Sequence, residues 1–313
     1  LEGFATVTRD VKINAAQTSI SDVGLPLSSV SEEIVVTSNQ GTISETNTLA
    51  TTVTAQELDR LPIGRTPLSA VNLSPGVSDT GPSSSPSIQG SFSYENLFLI
   101  NGVSVNENIR GSFLPLFIED AIQETTTTTT GVSAEYGRFS GGVVNVITKS
   151  GGNRLSGSVR SSYTNESWVS AKNNLKFDED YERLDKINPT YEVTLGGPIW
   201  KDKFWFFLAG RDRESDDQGT TVLTNISYPK SDEEQRIEAK ATISLTPSHS
   251  LVGSFLEIER TRSGATFGNV LDLRSLNNRT DPQEIKSVNY NGILTNSLFI
   301  EAQYSERDYE IGT

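Results

Sequence analysis

Cysteine and methionine are both absent from the 313 residues, and histidine occurs once. Without cysteine there is no disulfide and no thiolate for catalysis or zinc. His249, alone in the turn-like Pro247-Ser248-His249, has no second imidazole with which to complete a triad or a His-based metal site. The lack of cysteine also fits an oxidising envelope compartment. No apolar run approaches the ~18 to 20 residues of a spanning helix, which excludes a helical membrane protein. Basic residues are outnumbered, 26 against 40 acidic, and a formal net charge of -14 argues against a nucleic-acid groove. The glycine-rich stretch from Gly137 to Gly152 lacks the order of a phosphate-binding loop and reads as strand edges and turns. The acidic clusters Asp178-Glu179-Asp180, Asp216-Asp217 and Asp232-Glu233-Glu234 suit either calcium or a charged surface loop. No catalytic residue, metal or cofactor is assigned, and the chain is not read as an enzyme. With Leu1 first and no signal peptide, it is read as an internal piece of a longer precursor.

What the chain does contain is a two-residue period. From Leu155, one phase holds Leu155, Val159 and Tyr163 while the other holds Ser156, Ser158, Arg160 and Ser162, as in a two-faced sheet. The pattern returns in RIEAKATISL, with Ile237, Ala239, Ala241, Ile243 and Leu245 in phase, and in SLFIEAQYSE, with Leu298, Ile300, Ala302 and Tyr304 in phase. Turn signals near Gly152-Asn153, Lys201-Asp202, Pro247-Ser248 and Thr295-Asn296 are spaced by roughly 46 to 50 residues. Between them lie polar excursions, at 165–188, 212–234 and 259–286. Short turns on one side and long loops on the other, joined by alternating strands of about ten residues, are the asymmetry of an outer-membrane barrel. Trp200, Phe204, Trp205, Phe206 and Phe207 cluster at one tight turn, as an aromatic girdle or as a soluble core would place them; the repetition over three hairpins favours the membrane. Six or seven strands over 153–313 are too few to close a wide barrel, so the wall is expected to be incomplete in this chain.

The first half is organised differently. Residues 1–30 alternate weakly and read as the end of a β-sandwich module. Thr54, with Glu57 three residues on, has the spacing of a capping box, so a short helix is expected over TAQELDRL before Pro62. A second is expected from Thr66-Pro67 to near Ser74-Pro75-Gly76. The serine-rich GPSSSPS leads to an apolar strand, NLFLING. Together these describe a small α+β domain over 41–152, and the fold class as a whole is mainly β.

The order LP...R...L...PGV, then I-x-G, then L-I-N-G-V at 99–103, then AEYGRFSGGVVNVITKSG, resembles the plug domain of TonB-dependent outer-membrane receptors. The preceding sandwich-like remnant, the handover GGN and the hairpin GGPIWKDKFWFF are similar to the Oar-like members, which carry a carboxypeptidase-regulatory-like module ahead of the plug. The resemblance implies an outer-membrane receptor of a Gram-negative bacterium. It makes 31–40 a TonB-box-like segment, in which Glu33, Ile34, Val35, Val36 and Thr37 would be captured by TonB through strand addition. The other reading of that segment is one more strand of the upstream module. The chain departs from the pattern at Gln89-Gly90, where many plugs have Arg before the glycine, at Asn101 in place of Asp, and at Thr125 to Thr130 in place of R-G-P. Arg65, Glu135 and Arg138 are the candidate polar contacts between plug and barrel.

The implied function is gated transport. A plug fills a barrel of about 22 strands, ligand binds from outside, and TonB, with ExbB and ExbD in the inner membrane, remodels the plug. Plug topology places apical loops near 80–94 and 104–115, which makes Phe92, Tyr94, Asn106, Asn108, Arg110 and Phe113 the candidate ligand contacts. The implied partners are TonB, outer-membrane lipid and an extracellular ligand or cargo, with no nucleic acid. Two alternatives stay open: export or signalling with protein or peptide cargo, and a surface adhesin or scaffold whose plug never moves.

Overall fold

The computed structural model describes residues 48–81, 85–108, 111–168, 184–265, 269–295 and 297–312. The expected sandwich remnant, the candidate TonB-binding residues 33–37, Arg110 and the acidic cluster 178–180 lie outside these residues. The chain divides into two compact units, Leu1–Phe113 with Glu124–Val146, and Leu114–Gln123 with Ile147–Thr313.

In the first unit β1 (Leu49–Thr54) runs directly into α1 (Ala55–Leu58). The junction is the expected capping box: Thr54 Oγ1 accepts from the Glu57 amide at 3.3 Å, and the Glu57 carboxylate accepts from the Thr54 amide at 2.7 Å. Thr66 caps α2 (Pro67–Val71) by accepting from the Ser69 amide on its hydroxyl at 3.2 Å, without the reciprocal bond, and Pro67 sits at the first turn where its missing N–H costs nothing. This helix stops short of the expected Ser74-Pro75-Gly76. The amides of Leu73 and Ser74 turn instead to the carbonyls of Ala70 and Val71, three residues back, and tighten the chain out of the α-helix.

A small hairpin pairs β2 (Val77–Ser78) with β3 (Ser87–Ile88). The main sheet takes the order β1-β6-β7-β4-β5, from β4 (Leu97–Ile100), β5 (Val103–Ser104), β6 (Ile122–Thr130) and β7 (Val143–Thr148). All four residues of β4 are buried, and it pairs in parallel with β7, Leu97 opposite Val143 through Ile100 opposite Val146. A parallel pair covered on both faces reads as a continuous apolar run, which is why the strand shows no alternation. Asn101 and Gly102 join β4 to β5 with φ of 50° and 81°, the left-handed pair that a two-residue hairpin of type I′ needs. The threonine run forms β6. Thr125, Thr127 and Thr129 are buried, and the other phase meets β1, where Thr126 and Thr52 share a hydroxyl hydrogen bond of 2.9 Å.

The second unit contains an eight-stranded sheet. Its order is β8-β9-β10-β11-β12-β14-β15, with β13 paired to β12 off this path. The strands are β8 (Ser156–Thr164), β9 (Asn188–Trp200), β10 (Phe204–Thr220), β11 (Ser227–Thr246), β12 (His249–Ala265), β13 (Asn277–Thr280), β14 (Gln283–Thr295) and β15 (Leu298–Tyr309), every pair antiparallel. The order ends at β8 on one side and β15 on the other, so this sheet is open.

Its two faces differ as the period-two pattern requires. On one, Val159 opposes Val193 and Leu208 opposes Leu195, and all four are exposed, Val159 by 86%. On the other lie Arg160, Glu192, Arg211 and Arg236. Following one register row across the apolar face gives Val159, Val193, Gly210 and Ile237, then Glu257, Glu284 and Asp308. The apolar band therefore runs obliquely to the rungs of the ladder. Strands tilted to a bilayer place lipid-facing residues in that way, because a row perpendicular to tilted strands climbs out of the hydrocarbon.

Two expectations need correction. The excursions over 212–234 and 259–286 are largely strand rather than loop: β10 and β11 continue through Thr220 and from Ser227, and β12 through Ala265. Their charges form ion pairs, Arg260 on β12 with Asp232 on β11 and Arg262 on β12 with Asp281 just after β13, that the composition alone had read as loop polarity. The aromatic cluster is also divided between the faces. Trp200 is exposed with Lys203 4.8 Å over its ring, whereas Phe207 is buried against Ile118, Ala121 and Ala209 on the polar face.

Candidate functional site

The polar face of the second unit carries a dense set of charges aimed at one short segment, Leu114–Gln123. Arg160 on β8 donates from Nε to both carboxylate oxygens of Asp120, at 2.9 and 3.2 Å. Arg211 on β10 meets Glu119 at 2.8 Å. On β11, Arg236 donates from Nη1 to the carbonyl of Pro115 at 2.7 Å and also to that of Phe117, with its guanidinium 5.4 Å over the Phe117 ring. The same guanidinium is held as a fork on Glu234, at 2.8 and 2.9 Å, and both side chains are almost wholly buried. A bidentate pair of this kind fixes direction as well as charge.

The chain returning after β7 joins this set. The Lys149 amide donates to Ala121 O at 2.7 Å, its ammonium to Asp120 O at 2.6 Å, and Lys240 on β11 reaches Thr148 O at 2.8 Å. Burial raises the Glu119 carboxyl above its ordinary range, against the opposing pull of Arg211. Hydrophobic contact among Ile118, Ala121, Phe207 and Ala209 closes the gaps between the ion pairs. Among the described residues no group of three or more acidic or histidine side chains is arranged to hold a metal. Asp232 and Glu234 are engaged by arginine instead.

The first unit contains a separate cavity of about 320 Å³, lined by Tyr94, Asn106, Asn108, Glu107, Glu135 and Arg138 among others. It gathers residues expected to serve different purposes, ligand contacts at 94–108 and barrel contacts at 135 and 138. Arg138 sits there with φ of 61°. Phe92 stacks on Tyr94, centroids 5.4 Å apart, and is itself 65% exposed. Phe113 packs on Phe98 at 4.6 Å. Asn106 is committed to the backbone: its amide accepts from Phe98 N and donates to Asn96 O and Gly111 O, each at 2.8 Å. Arg65 lies outside this cavity.

Residues 42–144 match the family model for the TonB-dependent receptor plug domain. Over 126 residues the chain is 36% identical to the TonB-dependent transporter Oar of Myxococcus xanthus, a match covering 39% of this chain and 12% of that protein. Residues 42–144 thus belong to the plug domains of TonB-dependent receptors. Solved structures agree in fold. The ferric enterobactin receptor of Pseudomonas aeruginosa in complex with enterobactin aligns at a TM-score of 0.64 and 18% identity, over 84% of this chain and 41% of its own. The siderophore receptor PirA of Acinetobacter baumannii aligns at 0.62 and 19%, over 83% and 40%. The outer membrane transporter YddB of Escherichia coli aligns at 0.63 and 17%, over 82% and 38%. The chain thus spans about two fifths of these structures and far less of its curated relative. Its place is the Gram-negative outer membrane, and the named relatives are transporters and receptors rather than enzymes.

In this receptor chain the charged face of the barrel strands went unread in the sequence. Glu119, Asp120, Arg211, Arg236 and Lys240 were not singled out, and Glu234 only as part of an acidic cluster. A signal existed: in EQRIEAKA the phase opposite to Ile237 and Ala239 reads Glu234, Arg236, Glu238, Lys240, charges of alternating sign on one face.

Proposed function

We propose that this chain forms the plug and the first wall strands of a transporter in which an extracellular ligand binds the plug apex and is moved through the barrel by energy transduced through TonB, ExbB and ExbD. The observation carrying this reading is the cavity in the plug-matched region that brings Tyr94, Asn108, Glu135 and Arg138 to one place. Its mixed lining of aromatic, amide, carboxylate and guanidinium groups suits a polar ligand held in a definite orientation. It supports giving Glu135 and Arg138 to the ligand, while Arg65 remains the proposed contact to the wall. Residues 33–37 are the proposed docking strand for TonB.

The test is binding of the purified periplasmic domain of TonB to the full-length receptor in detergent. Deleting residues 33–37 should abolish capture, and replacing Val35 with Pro, which removes a ladder donor, should weaken it strongly. Undiminished capture by the deletion variant would refute the reading.

A further inference from the structure

We infer that the polar face of β10, β11 and β12, at the end away from the tight turns, holds a binding site for a phosphate monoester carried on a small polar body such as a sugar. The site is built wholly from the second unit and does not rest on the reading of the plug cavity.

Strand register puts the site together. Arg213 and Asp217 on β10 share a face with Arg211, Lys230 and Asp232 on β11 share it with Arg236, and Arg262 on β12 lies opposite Asp232. With Tyr228 these side chains line a cavity of about 560 Å³, a size that suits a small molecule. Gly219 makes the room, since a Cβ there would sit 2.2 Å from the Lys230 stem and 2.5 Å from the Tyr228 ring. The segments after β10 and β12 are joined at its edge, where the Val222 amide donates to Val270 O at 2.9 Å.

The charges in this cavity are unequally committed. Asp232 is forked by Arg260, whose Nε donates at 2.8 Å, and Asp217 accepts from the Gln218 amide at 2.7 Å. The cations keep open donors. Among the described residues neither Arg213 nor Lys230 has a carboxylate within ion-pair distance, and the Lys230 ammonium lies 5.6 Å from the Tyr228 ring centroid. Arg262 shares Asp281 with Arg279, and its Nε is buried without an acceptor. A buried donor left unmade is costly, and a ligand oxygen would satisfy it. In a chain of net charge -14, three under-neutralised cations facing one cavity call for an anion. A phosphate monoester, with a charge of about -1.5 to -2 and three acceptor oxygens, matches one ammonium and two guanidinium groups better than a single carboxylate does. Lipid phosphate is not the source, because the face read as meeting lipid is the opposite one.

Calorimetric titration of the full-length receptor in detergent with glucose 6-phosphate, at about pH 7.5 and so above the second phosphate pKa of ~6, tests the site. Saturable binding is expected, with none for glucose. Arg213→Gln and Lys230→Gln break no ion pair among the described residues, and each should weaken binding roughly 10- to 100-fold. Asp217→Asn keeps an acceptor for the Gln218 amide and removes a repelling charge, so it should tighten binding about threefold. A misfolded variant could not produce that gain. Inorganic phosphate should compete with glucose 6-phosphate, and less well in the two Gln variants. Absence of binding, binding unchanged by both Gln variants, or glucuronate held as tightly as glucose 6-phosphate would overturn the assignment.

Discussion

Arg236 lies 5.4 Å over the ring of Phe117 and donates to that residue's own carbonyl, while the rest of its guanidinium is forked on Glu234. One side chain therefore grips a backbone, a ring and a carboxylate. Arg236→Ala should destabilise the detergent-solubilised receptor by about 3 to 5 kcal/mol, because Glu234 is left buried without its fork. Arg236→Lys keeps the charge and loses the bidentate geometry, so it should fall between the two. Urea unfolding followed by heat-modifiable gel mobility measures both, and the double variant with Glu234→Ala should cost less than the sum of the singles.

Two adjacent glycines at the start of the wall make a controlled pair. A Cβ on Gly151 would sit 2.2 Å from the backbone oxygen of Phe206, whereas one on Gly152 meets nothing within 4 Å. Gly151→Ala should cost at least ~1 to 3 kcal/mol and reduce the yield of folded receptor in membranes, since a backbone atom cannot step aside as a side chain does. Gly152→Ala should be silent in the same assay.

Asn106 was expected among the ligand contacts, and its amide is spent on Phe98, Asn96 and Gly111. Asn106→Ala should therefore destabilise the plug by about 1 to 3 kcal/mol per stranded backbone group, ligand or no ligand. Hydrogen exchange at the Phe98 amide reads this directly. Tyr94→Ala should leave that amide protected, and equal exchange in the two variants would remove the distinction.

The capping box at Thr54 predicts a pH response. Hydrogen bonds from the Thr54 amide and hydroxyl hold the Glu57 carboxyl below its ordinary value of 4.5. A depressed folded pKa means that the stabilisation is fully present above the unfolded value and is lost as pH falls through the folded one. Exchange of the α1 amides, corrected for intrinsic rates, should rise on acidification below about pH 4.5. Glu57→Gln should flatten that response, and a Gln variant with the same acid dependence would show that another group is responsible.

Local chemistry made part of this molecule legible from residues alone. The caps at Thr54 and Thr66 need only a hydroxyl three residues before an amide, and the apolar face of the wall needs only alternation, so both were visible in the chain. The buried β4 was found as an apolar run between turn signals. The extent of β10, β11 and β12 was not legible, because Asp, Glu and Arg have the composition of a loop until cross-strand partners pair them. Their partners, such as Asp281 for Arg262, lie 19 positions away.

The sequence by itself determined the alternation, the helix caps, the turn at Asn101-Gly102 and the handover from plug to wall, all consequences of side-chain and backbone preferences within a few residues. Only the tertiary structure decided which charges meet. Pro115 and Phe117 are 121 and 119 residues from the arginine that binds their carbonyls, and no periodicity within a strand encodes a contact that exists only once a distant segment has been laid across its polar face.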